Sequence, residues 1–169
     1  MIYPIVKYGQ KVLDTPAEAV TVFDGDLEKL VADMFETMYA ANGVGLAAPQ
    51  IGIGKRLCVI DVTSGEDANS RLVLANPVIV ATGGKQRQDE GCLSLPDFRA
   101  ATPRPEQVTM RAQGLRGKEF TMTGEGLLAR AFCHETDHLN GVLFIHHLSL
   151  LMRDSIKRKI KKLMKAGEW

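Results

Sequence analysis

Three stretches of the chain repeat apolar residues at helical spacing. In the first, Leu27, Leu30, Val31, Met34, Phe35 and Met38 fall on one face. Asp24-Gly-Asp26 offers N-cap candidates before them, and Asn42-Gly43 a stop after them. In the second, Leu127, Ala131, His134 and His138 form one stripe, and Leu128, Phe132, Glu135 and Leu139 form its neighbour. A helix apolar over this much of its girth is expected to be buried, and Asn140-Gly141 gives its stop. In the third, Leu150, Leu151, Ile156, Ile160, Leu163 and Met164 make a partly apolar face with basic residues opposite. Between the first two helices the pattern shortens to runs of strand length. The segment 57–62 reads as a buried strand with Cys58 in the core, and 63–70 as a polar turn. The segment 72–80 reads as a strand region interrupted at Asn76-Pro77, with Thr82-Gly-Gly84 turning the chain. Loose alternation over 85–90, then 99–102, 107–112 and 119–122, gives further short strands separated by Pro- or Gly-containing turns. Residues 1–25, broken by Pro4, Gly9, Pro16 and Gly25, read as an irregular arm with one short turn. Short strands in succession, with helices at the front and back, predict an antiparallel α+β domain rather than βαβ winding, with an N-terminal and a C-terminal helix.

Composition narrows the classes. A chain of 169 residues is expected to form a single domain over 1–169 with a real core. Its apolar fraction of 45% and net charge of +1 imply no global attraction to nucleic acid or membrane. No apolar run approaches transmembrane length, and the first residues lack the charge order of a signal peptide, so a cytoplasmic location is expected. Three cysteines, Cys58, Cys92 and Cys133, do not make a disulfide framework. The charge is uneven. Residues 149–169 carry seven Lys/Arg against Asp154 and Glu168, so a mildly acidic body bears a basic helical tail.

The second helix holds the chemistry. His134-Glu135-x-x-His138 puts two imidazoles one turn apart, where both reach one metal ion, with Glu135 beside them to touch a metal-bound water. Two His and a Glu could instead be a satisfied polar patch, but three ionisable groups on a buried helix are costly unless something compensates them, and a metal does. A catalytic site needs about three protein ligands. The extended metalloprotease pattern fails because Phe144 stands where a third His is required, and the only later Glu is Glu168. The third ligand is therefore expected upstream, and Cys92, in the turn Glu90-Gly-Cys-Leu-Ser-Leu-Pro96, is the best candidate. Cys133 faces roughly 100° away from His134 and should miss the metal. The stretch Gly43-Val-Gly-Leu-Ala-Ala-Pro-Gln50 has no phosphate-loop signature. It is either a tight loop packed on the core or a backbone brought close to a ligand, with the Gln50 amide as a donor.

Three segments taken together, Gly43 to Gln50, Glu90 to Ser94 and His134-Glu-Thr-Asp-His138, resemble the peptide deformylase family in order and separation. The resemblance covers essentially the whole chain. It departs at Thr136, where the family carries a hydrophobic residue, which touches local packing rather than chemistry. It implies an α+β fold of antiparallel β-sheets packed around the central metal-binding helix, and a hydrolase that removes the formyl group from N-formylmethionyl nascent peptides and releases formate. Cys92, His134 and His138 would bind Fe²⁺, with Zn²⁺, Ni²⁺ or Co²⁺ able to substitute. Glu135 would be the acid/base, and Gln50 and the Leu93 N–H would form the oxyanion site. Gly43, Val44, Gly45, Leu46 and Glu90 would border the cleft, with Leu127 helping to line a methionine pocket. Arg99 and Arg104 have two readings: a role at the site, steadying the peptide or pairing with Asp137, or a plain surface role. The basic tail is read either as a packed helix with a solvated cationic face or as a ribosome-docking helix. The rival readings are a small metallopeptidase, and a non-catalytic nucleic-acid- or ribosome-binding protein with a structural metal.

Overall fold

The computed structural model describes residues 1–169. Helix α1, Gly25–Ala40, is capped as its sequence predicts, with the Asp24 carboxylate accepting from Leu27 N–H at 3.0 Å. Its end is set by Asn42 in the left-handed region (φ 57°). The strands are β1 Gly45–Ala47, β2 Leu57–Ile60, β3 Leu72–Gly83, β4 Gln86–Cys92, β5 Leu95–Arg104, β6 Gln107–Gln113 and β7 Glu119–Glu125. Helix α2 spans Leu127–Leu139 and α3 spans Leu150–Lys165. All strand pairings are antiparallel: one five-stranded sheet in the order β1-β2-β3-β6-β7, and a separate β4–β5 hairpin.

Strand β2 shows how the layers are built. Its four residues are all buried, because successive side chains face opposite covers. Leu57 and Val59 pack with Val31, Met34, Phe35 and Met38 of α1. Cys58 and Ile60 pack with Ala131, Phe132 and Leu139 of α2, joined by Leu74, Val108 and Met110. Helix α2 thus lies between the five-stranded sheet and the β4–β5 hairpin, which it meets through Arg130 and His134. A third cluster joins Leu95 and Ala100 of β5 to Phe144, Ile145, Ile156 and Ile160.

Strand β3 is interrupted at Asn76-Pro77, as the sequence predicts, and resumes beyond it. The register shifts between Ala75 and Val78, and Asn76 sits at φ 53°. Its side chain then replaces the lost ladder bonds, accepting from Val20 N–H at 2.8 Å and donating to Val20 C=O at 2.9 Å. The Gly-rich stretch after α1 is not all loop, since Gly45–Ala47 pairs with β2 as an edge strand. The apolar face of α3 is narrower than its sequence suggests: Ile156 and Ile160 are buried, whereas Leu150, Leu151 and Met164 are exposed. No helix is long and apolar enough to cross a membrane.

Candidate metal centre

The four-residue spacing on α2 brings His134 and His138 together, with Nε2 atoms 3.2 Å apart. The hairpin supplies the third group. A register shift between Gly91 and Cys92 turns the chain so that Cys92 Sγ lies 3.3 Å from His138 Nε2. Donor atoms from Cys92, His134 and His138 all lie within 4.8 Å of one another, the one such cluster in the chain. Cys133 faces the sheet, inside the core cluster, and burial pushes its thiol up to about 11. It takes no part.

Glu90 decides the state of His134. Its Oε2 lies 2.8 Å from His134 Nδ1, so Nδ1 carries a proton and Nε2 is the ring nitrogen that faces the cluster. Both oxygens are occupied: Oε1 accepts from Arg130 Nη1 at 2.6 Å and Arg104 Nε at 3.1 Å, and Oε2 from Arg104 Nη2 at 2.7 Å. Burial works against the charge of Glu90, but His134 and Arg104 outweigh it and hold the carboxyl well below its usual range. Arg104 also donates to Asp137 at 2.8 Å, and Asp137 meets His147 at 2.8 Å.

This donor set fits a divalent cation. Burial pulls both imidazoles toward neutrality. At His134 the Cys92 sulfur and the Glu90 carboxylate overcome that pull and raise its pKa well above the ordinary value. At His138 burial, reinforced by His134, pushes it well below. One thiol and two imidazoles whose donor atoms lie this close are the soft and borderline ligands that a divalent transition-metal ion takes.

Around the cluster stand the groups that could act on a bound molecule. Glu135 is buried, makes no hydrogen bond, and has one oxygen fully enclosed without a partner. Burial raises its carboxyl to about 7. Gln50 is buried, and its orientation is set by its neighbours. Ala47 N–H donates to Oε1 at 3.0 Å, which leaves Nε2 pointing at Ser94 Oγ (3.2 Å) and Cys92 Sγ (3.6 Å). The Leu93 N–H has no partner within the protein. These groups share a cleft of about 550 Å³ that is lined by Gly43, Val44, Gly45, Leu127, His134 and Glu135, among others.

Two residues expected at this cleft are placed differently. Leu46 is wholly buried under α1, because strand alternation turns it away from the cleft. Glu90 does border the cleft, but its carboxylate turns inward to the two arginines and His134. Arg104 is the partner of Asp137, as one of its two readings has it, and is buried. Arg99 instead pairs with Asp89 at the exposed rim. Arg130 was missed, although it lies one helical turn before His134.

A family model described as polypeptide deformylase matches residues 2–154. A peptide deformylase of Acidobacterium capsulatum is 57% identical over 169 residues, covering 100% of this chain and 99% of that protein. The crystal structure of a peptide deformylase from Legionella pneumophila superposes with a TM-score of 0.91 at 44% identity, covering 99% of this chain and 98% of that one. That of the Thermus thermophilus peptide deformylase gives 0.91 at 39% identity, with the same coverage of both chains.

Proposed function

The chain belongs to the polypeptide deformylase family, and from that premise we propose that it removes the formyl group from N-formylmethionyl nascent peptides in the cytoplasm. The observation that carries this reading is the convergence on one cleft of four things. They are the Cys92/His134/His138 donor set, the unpartnered carboxylate of Glu135, the aimed amide of Gln50 and the free N–H of Leu93.

A divalent metal held by Cys92, His134 and His138 supplies Lewis acidity to the formyl carbonyl and makes water a better nucleophile near neutral pH. Glu135, buried beside the cluster without a hydrogen-bond partner, takes the proton from the attacking water as the new C–O bond forms. Gln50 Nε2–H and Leu93 N–H donate to the oxygen that gains charge, and loss of one such donor costs about 10²–10³ in rate. Glu135 then passes the proton to the departing amine as the C–N bond breaks, which leaves formate and a free N-terminus. Glu90, pinned by Arg104 and Arg130, keeps the His134 ring in the tautomer that presents Nε2. Gly43, Val44, Gly45 and Leu127 border the place where the peptide enters.

The resident metal in this reading is Fe²⁺. One thiolate and two imidazoles also accept Zn²⁺, Ni²⁺ or Co²⁺. Iron beside a thiolate predicts loss of activity in air, and equal activity after aerobic and anaerobic preparation would contradict it. The exposed cationic face of α3, with Arg158, Lys161 and Lys162, suits ribosomal RNA phosphates near the emerging chain. Reversing those three charges in the full-length protein should abolish co-sedimentation with ribosomes at low salt; unchanged co-sedimentation removes this part of the reading.

Substrate discrimination tests the reaction class. The metal-loaded protein should release formate from formyl-Met-Ala-Ser while leaving acetyl-Met-Ala-Ser and internal peptide bonds intact. Cleavage of internal bonds in preference would instead establish a metallopeptidase.

A further inference from the structure

Helix α3 ends in a turn that sends the chain back toward the catalytic hairpin. Gly167 sits at φ 71°; its N–H donates to Met164 C=O at 3.1 Å, and Glu168 N–H donates to Leu163 C=O at 2.8 Å. This is the paired 5→2 and 6→1 bonding that lets a helix reverse direction. It delivers Trp169, the only tryptophan in the chain, to the back of the hairpin. There Lys7 Nζ lies over the indole, 5.8 Å from the ring centroid, and the indole makes two further contacts. Its Nε1–H donates to Tyr8 C=O at 2.8 Å, and its ring meets Phe98 edge-on with centroids 6.0 Å apart.

Both contacts lead to the site. Tyr8 N–H donates to Ser94 C=O at 2.9 Å, and two residues earlier Val6 N–H donates to Gln50 C=O at 2.7 Å. The arm around Tyr8 therefore joins the segments that carry Gln50 and Cys92-Leu93-Ser94. Phe98 belongs to the stretch Leu95–Arg99 that walls the cleft. Trp169 itself is not among the residues lining it.

We propose that Trp169 is a positioning residue: it braces the hairpin wall and the Ser94 segment from behind, and so couples the end of α3 to the peptide-binding cleft. The proposal rests on the peptide-deformylating reading of that cleft. It predicts an effect on peptide binding rather than on the chemistry, since Trp169 touches neither the Cys92/His134/His138 set nor Glu135. It also predicts that a peptide in the cleft is sensed by the indole through Phe98.

Two measurements on the metal-loaded, full-length protein test it. In the first, the product peptide Met-Ala-Ser is titrated while the emission of Trp169 is followed. The emission should shift with occupancy, and Phe98→Ala, saturated with peptide as judged by its own inhibition curve, should lack the shift. An emission spectrum unmoved at saturating peptide overturns the proposal. In the second, Trp169→Ala should raise KM for formyl-Met-Ala-Ser about three- to tenfold, the worth of an edge-to-face aromatic pair, with kcat kept within about twofold. Trp169→Phe, which keeps a ring but loses the bond to Tyr8, should recover part of that KM. An unchanged KM in Trp169→Ala, or a parallel fall of kcat, metal content and thermal midpoint, overturns the positioning role. Wild-type protein that releases no formate refutes the functional reading instead.

Discussion

Glu135 is expected to make the metal-free protein lose stability as the pH rises, and Glu135→Gln to remove that loss. The native carboxyl has a pKa of about 7, against 4.5 for the free group, because burial disfavours its charged form. The folded state thus binds this proton more tightly than the unfolded state does. The stabilisation is complete below pH 4.5 and fades as the pH climbs to about 7, above which a charged carboxylate must be buried without a hydrogen bond. At about 1.4 kcal/mol per pH unit, the gap is worth about 3 kcal/mol. Gln has nearly the same shape and no charge at any of these pH values, so the difference between the two proteins isolates this one group. Both proteins would be treated with chelator, since a bound cation stabilises the carboxylate and masks the effect. Urea unfolding from pH 4.5 to 8.5 should show the Gln variant gaining about 3 kcal/mol over wild type across that range. A difference that stays flat with pH would refute the reasoning: the carboxylate would then have a partner that the structure does not show.

Three further changes have definite expected outcomes. Glu90→Gln leaves Arg130 buried without a charge partner and Arg104 with Asp137 alone, and it loosens the hold on the His134 ring. It should cost about 3–5 kcal/mol in urea unfolding and about 10–100-fold in metal affinity by competitive chelation. Gly45→Ala would place a methyl group 2.5 Å from Glu135 Oε1 and 2.9 Å from its carboxyl carbon, so turnover should collapse while metal content stays near wild type. Thr136 is buried with an unpartnered hydroxyl, and Thr136→Val, nearly the same in volume, should raise stability by about 1 kcal/mol in the same unfolding assay.

Much of this site was legible because its parts follow simple periods. The i, i+4 imidazoles, the apolar stripes around them and Asn140-Gly141 fix the second helix to within its observed bounds. The failure of every downstream ligand points back to Cys92. The carboxylate behind His134 was legible in principle but was not read. Glu90 stands two residues before Cys92 at the end of one strand, and Arg130 precedes His134 by one turn. Both spacings were visible, but sequence alone does not say that the hairpin and the helix face each other. Leu46 was misplaced for a different reason. Glycines on either side of Val44 made the stretch read as loop, and a three-residue edge strand is too short to show alternation. The C-terminal helix was over-read because apolar residues at helical spacing do not reveal how much surface the body offers them; only Ile156 and Ile160 find cover.

Formate release from formyl-Met-Ala-Ser by wild type and Glu135→Gln, prepared without oxygen and assayed for metal in the same samples, tests the central claim most directly. The account predicts about one metal per chain in both proteins, formate from wild type, and a rate lower by at least about 10²-fold in the variant. Equal rates at equal metal content would contradict the role of Glu135, and no formate from fully metallated wild type would contradict the assigned reaction.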